Sequence, residues 1–105
     1  MLWRTGGYRD AAIVLAVAHL SGCALDPPVE EMSDARQAIA AAEQAEADRF
    51  ARDAISEARR YLAQAESDLI AQAFGPARTK ALRAKDRAVR ALRDSLEAGG
   101  QTPVD

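Results

Sequence analysis

Residues 50–76 read FARDAISEARRYLAQAESDLIAQAFGP, and within them Ala51, Ile55, Ala58, Leu62, Ala65 and Leu69 recur at strict three-four spacing. Residues so spaced share one face of an α-helix, whose period is about 3.6 residues. Phe50, Tyr61 and Ile70 widen that apolar side. The stretch predicts a helix over 49–73 with Asp48 as its N-cap. Phe74-Gly75-Pro76 is the strongest punctuation nearby, because glycine relaxes the backbone and proline is tolerated only in a helix's first turn, so the turn is expected there.

Upstream, Met32, Ala35, Ile39 and Ala42 form a second stripe, predicting a helix over 30–47 with Glu30, Glu31 and Asp34 near its positive end. Continued by heptads from Ala42, this stripe reaches Arg49 and Ser56, out of phase with Ala51 and Ala58. One straight helix cannot serve both faces, which places a break near Ala47-Asp48. No Gly or Pro enforces that break, and the alanine content favours continuity, so one long bent helix is the competing reading. Downstream, Ala81, Leu82, Val89, Leu92 and Leu96 fall on one side of a helix over 76–97, with Ala84 and Ala88 filling gaps. Gly99-Gly100 would end it and open a loose tail over 99–105. The expected fold class is all-α, a short antiparallel three-helix bundle or a bent helical hairpin within residues 30–98. Its alanine contacts bury little area, so the core is thin for a chain of 105 residues.

The chain start has a different character. Met1 to Asp10 contain Arg4 and Arg9, an apolar run covers Ala11 to Leu20, and Leu20-Ser21-Gly22-Cys23 follows. This is the zone order of a signal peptide over 1–22. Ten apolar residues span about 15 Å as a helix, half the hydrocarbon thickness, so the run is too short for a permanent span. Leu20-Ser21-Gly22-Cys23 resembles the lipobox of bacterial lipoproteins at every position. The resemblance implies cleavage between Gly22 and Cys23, diacylglycerol on the Cys23 sulfur, and an N-acyl chain such as palmitate on the new amino group. Two or more chains anchor stably where one does not. Cys23 is also the single cysteine, so no disulfide competes for it. In many such lipoproteins an aspartate after the cysteine retains the protein in the inner membrane. Ala24 stands there instead, which implies the periplasmic face of the outer membrane. Pro27-Pro28 reads as a stiff tether over 23–29 that holds the domain off the lipid.

Charge is uneven along the chain. Residues 23–75 carry five basic and eleven acidic side chains, net −6, whereas residues 76–105 carry seven and four, net +3. Arg78, Arg83, Arg87, Arg90 and Arg93 are the candidate face for an anionic partner, although such charges more often form a solvated surface with local ion pairs. Nucleic acid is excluded as partner by the export signal and by the absence of stacking aromatics among the arginines.

Catalysis finds little support. The only histidine, His19, lies in the leader, so Ser33, Ser56, Ser67 and Ser95 have no imidazole and read as capping or solvent-facing residues. Glu43 with Glu46 and Glu66 with Asp68 could hold a cation, but exposed helix charge is their commoner role, and no metal, cofactor or small-molecule substrate is expected. Phe50 and Tyr61 could line a small pocket.

The run from Ala35 to Leu92 resembles the alanine-rich helical region of the bacterial lipoprotein family called domain of unknown function 4398. The matching features are a lipobox followed by prolines, Phe50-Ala51, the spaced Ala58, Leu62 and Ala65, and Phe74 ahead of Ala77, Ala81 and Ala84. Arg52 replaces a frequent proline of the family, and Gln72-Ala73 stands where a Gly-Asp turn is usual. The resemblance implies no reaction. The expectation is a non-catalytic envelope lipoprotein that meets a protein partner or copies of itself. Noncovalent binding of peptidoglycan or anionic lipid by the basic third helix is the alternative.

Overall fold

The computed structural model describes residues 26–100, all of whose regular structure is helical: α1 (Val29–Gln44), α2 (Ala47–Phe50), α3 (Arg52–Ile70) and α4 (Phe74–Gly100). No helix among the described residues is long and apolar enough to cross a membrane. Ion pairs fix the directions of the long helices. Glu31 and Asp34 of α1 meet Arg78 and Lys85 of α4 in ascending order, whereas Asp68 and Glu57 of α3 meet Lys80 and Arg87 in descending order. α1 and α4 therefore run the same way, and α3 runs against both.

The first break falls two residues before the expected one. α1 stops at Gln44 and Glu46 takes a left-handed φ of 63°, its amide bonding back to Glu43 O at 3.0 Å. α2 then makes one turn, Ala51 is extended at φ −144°, and α3 begins at Arg52. Asp48 is consequently not an N-cap: it lies inside α2, where its carboxylate faces α3. The second turn also moves upstream. Ala73 N bonds Asp68 O at 2.8 Å and Gln72 N bonds Leu69 O at 3.0 Å, the paired bonds of a Schellman motif with Gln72 as its left-handed residue, φ 60°. Phe74, Gly75 and Pro76 are the first turn of α4, where proline's missing amide costs no helical bond. Gly99 and Gly100 continue α4, and the residues after them lie outside the described range.

Among the described residues ten of the thirteen buried apolar side chains are alanine, with Met32, Ile39 and Ile55 the exceptions. Each alanine contributes one methyl group, about 0.8 kcal/mol of burial. Small side chains let helix axes approach toward the close end of the usual range, about 8 Å, so backbone contact compensates for side-chain bulk. The stripe Met32, Ala35, Ile39, Ala42 is buried throughout. In α3 Ile55, Ala58 and Ala65 are buried, but Ile70, expected to widen the apolar face, is 85% exposed. The buried face of α4 is Ala77, Ala81, Ala84, Ala88, Ala91 and Ser95. Leu82, Val89 and Leu96, expected inside, are 50%, 37% and 61% exposed. The expected Ala81, Ala84 and Ala88 are buried and Leu92 packs against the core from its edge, so the face turned to α1 and α3 is centred on the small residues.

Candidate functional site

The anchor residues Leu20, Ser21, Gly22, Cys23 and Ala24 lie outside the described residues. The segment that follows them is held against the helices. Pro28 caps α1 and is fully buried, and the Asp26 carbonyl accepts a 3.2 Å hydrogen bond from Arg78 Nη2, while Arg78 Nε bonds Glu31 at 3.2 Å. The expected free-standing tether over 23–29 is thus shortened from its domain end, because its last residues belong to the packed unit.

The five arginines of α4 separate into two groups. Arg78 is directed toward α1, and Arg87 toward α3, where its Nε bonds Glu57 at 2.9 Å and its guanidinium lies 6.0 Å from the Tyr61 ring centre. The Glu57 hydrogen bond holds the Arg87 pKa above its ordinary value. Arg83, Arg90 and Arg93 are exposed and make no ion pair among the described residues, Arg90 at the rim of the depression formed with α2 and α3.

An open depression of about 430 Å³ lies where α2 meets α3, lined by Phe50, Arg52, Asp53, Glu57, Arg87, Arg90 and Asp94. Phe50 forms part of its wall with Arg49 stacked 4.9 Å from the ring centre, whereas Tyr61 is not part of the lining. Three guanidinium groups and three carboxylates line it, so their charges largely compensate one another. Three of the four carboxylates considered for a cation are engaged elsewhere, Glu43 with Arg59, Glu66 with Arg36 at 3.4 Å and Asp68 with Lys80 at 2.7 Å, and Glu46 makes no ion pair among the described residues. Of the serines, Ser33 accepts a bond from Gln37, and Ser95 is buried rather than solvent-facing, its Oγ without a partner among the described residues.

The densest polar cluster surrounds Arg59, which the chain-order spacing gave no reason to single out. From α3 it donates to Glu43 Oε2 of α1 at 2.7 Å and to Asp48 Oδ1 of α2 at 2.8 Å, closing the break between those helices. Its hydrogen bond lowers the Asp48 pKa from the ordinary aspartate value.

Comparison with family models, with curated proteins and with solved structures returns no match.

Proposed function

We propose that the protein is a lipid-anchored component of the bacterial cell envelope, carried by acyl chains on Cys23 at the periplasmic face of the outer membrane, with a structural or accessory role and no catalysis. Supporting the anchor are Leu20-Ser21-Gly22-Cys23, the charged and apolar zones before it, and Ala24 after it. The domain is read as an antiparallel three-helix bundle with α2 inserted in its first connection. Its likeness to the alanine-rich lipoprotein family belongs to the same reading and rests on the residues quoted above.

The observation that carries an interaction role is the two-sidedness of α4. Its alanines face the bundle while Leu82, Val89 and Leu96, spaced by heptads, line its outer side over about 21 Å. Exposed apolar residues of that period, separated by Lys85, Asp86 and Arg93, fit one line of contacts with a second helix, supplied by an envelope protein or by another copy. Sedimentation equilibrium of the delipidated protein tests this. Self-association or a defined complex that Leu82→Ser with Leu96→Ser abolishes, at unchanged helicity, supports the reading; a monomer that captures no partner removes it.

A second reading draws on the unpaired Arg83, Arg90 and Arg93. Anionic lipid or cell-wall binding through them predicts vesicle or peptidoglycan binding that falls as salt rises.

A further inference from the structure

We infer that the end of the domain carrying the α3–α4 turn is a membrane-seated cap, resting in the interface of the same bilayer that Cys23's acyl chains enter. The inference builds on the anchoring reading and adds an orientation and a lipid-contacting surface. Its first support is chain length. Asp26 is fastened to α4 through Arg78, and only Ala24 and Leu25 separate it from Cys23. Three residue steps reach at most about 11 Å, so the lipid cannot lie far from the base of α1 and α4.

The second support is the chemistry of that base. Residues 69–77, Leu-Ile-Ala-Gln-Ala-Phe-Gly-Pro-Ala, are the longest uncharged run in the described chain, and they form the turn at the anchor end. Ile70 is 85% exposed there, and Val29 at the start of α1 is 67% exposed. The opposite end, around α2, carries Glu46, Asp48, Arg49, Arg52 and Asp53. The anchor end also carries exposed Asp26 and Glu30, but Ile70 and Val29 are the large aliphatic side chains exposed there, and they suit contact with a membrane interface.

The third support is the turn's backbone. The amides of Gln72, Ala73 and Ala77 bond Leu69 O, Asp68 O and Ala73 O, whereas the first-turn amides of Phe74 and Gly75 have no acceptor among the described residues, which places the turn in the hydrated headgroup interface and not in the hydrocarbon. The charges next to the turn are paired, Asp68 with Lys80 and Arg78 with Glu31. The contact is therefore carried by apolar side chains, with Asp26 and Glu30 beside it, unpaired among the described residues, favouring neutral over anionic lipid, unlike binding through Arg83, Arg90 and Arg93.

The test uses the chain from Cys23 onward, which contains no tryptophan, with one introduced by Ile70→Trp, coupled through Cys23 to a maleimide lipid in phosphatidylcholine vesicles. Brominated acyl chains should quench the Ile70→Trp emission at least about twofold, as expected for a side chain in the interface. A parallel chain carrying Arg49→Trp, at the charged end, should be unaffected, and added salt should change neither. Absence of quenching for Ile70→Trp, equal quenching at both ends, or loss of quenching at high salt would each overturn the cap. Circular dichroism checks that both variants keep their helicity; should one lose it, bromolipid quenching of an environment-sensitive dye introduced at Gln72 by Gln72→Cys, in a chain carrying Cys23→Ser and a lipidated N-terminus, decides by the same criteria. Coupling bypasses cellular acylation, so a Cys23 found bare in cells would end the anchoring reading while the vesicle result stood by itself.

Discussion

Arg59 and Asp48 form a two-point contact, Nη1 to Oδ1 at 2.8 Å and Nη2 to Oδ2 at 3.1 Å, and the same guanidinium reaches Glu43 of α1. Three helices thereby meet at one side chain where neither Gly nor Pro sets the break. Because the Arg59 hydrogen bond depresses the Asp48 pKa in the folded state, its contribution is present above the unfolded pKa and is lost as pH falls through the folded one. Thermal melts should lose stability below about pH 4. Asp48→Asn should flatten part of that acid limb, and Arg59→Met should lower the melting temperature at pH 7 more than Arg36→Met, whose single ion pair with Glu66 is 3.4 Å long.

Both left-handed turn residues carry side chains. Gln72 at φ 60° and Glu46 at φ 63° occupy a region that costs a residue with a Cβ roughly 1 kcal/mol. Gln72→Gly should therefore stabilise the domain by about 0.5–1 kcal/mol despite glycine's greater unfolded-state entropy. Denaturant melts with an unchanged slope would establish it, and a loss of stability would contradict the turn as described.

Ser95 interrupts the alanine seam of α4 with a hydroxyl that is 2% exposed and unpartnered among the described residues. Ser95→Ala removes an unmet polar group and raises helix propensity, so a gain of about 1 kcal/mol is expected in chemical denaturation.

The few large core side chains carry a disproportionate share of the stability. Ile55 is fully buried among alanines, and Ile55→Ala should cost about 3 kcal/mol, a large fraction of what a domain of this size possesses. Ala88→Leu tests the opposite limit, since the helices have no room for the added volume, and about 2 kcal/mol should be lost although hydrophobicity increases. Leu82→Ala, by contrast, should leave the stability of the isolated chain nearly unchanged.

The all-helical class and the α1 face were legible because Met32, Ala35, Ile39 and Ala42 offer one phase without a rival. On α4 the set 77-81-84-88-91-95 is spaced by three and four, whereas 82, 89 and 96 recur by sevens with Leu92 at the edge between the two sets, and side-chain hydrophobicity favours the second. Burial went to the first because axis separation, a property of three helices together, cannot be read from one. The turns were misplaced for a local reason: left-handed helix ends usually announce themselves by glycine, and here Glu46 and, in a Schellman motif, Gln72 fill that position while Gly75 sits in an ordinary first turn. Arg59 was invisible because its partners lie eleven and sixteen residues away on other helices. The division of α4's arginines likewise followed from what α1 and α3 present to it, not from their spacing.

Standing the domain on its anchor end also sets the height of its outer stripe. Copies held in one leaflet would present Leu82, Val89 and Leu96 at matching levels, which is the condition for parallel heptad contact. In the proposed reading, anchor, cap and lateral stripe are parts of one arrangement, and the anchor is the part on which the others depend.

Intact-mass and peptide mass spectrometry of the protein extracted from its native membrane tests that dependence directly. The account predicts a chain that begins at Cys23 and carries diacylglycerol on the sulfur, with acyl mass on the amino group. An unmodified thiol at position 23 in a chain that still contains residues 1–22 would contradict it.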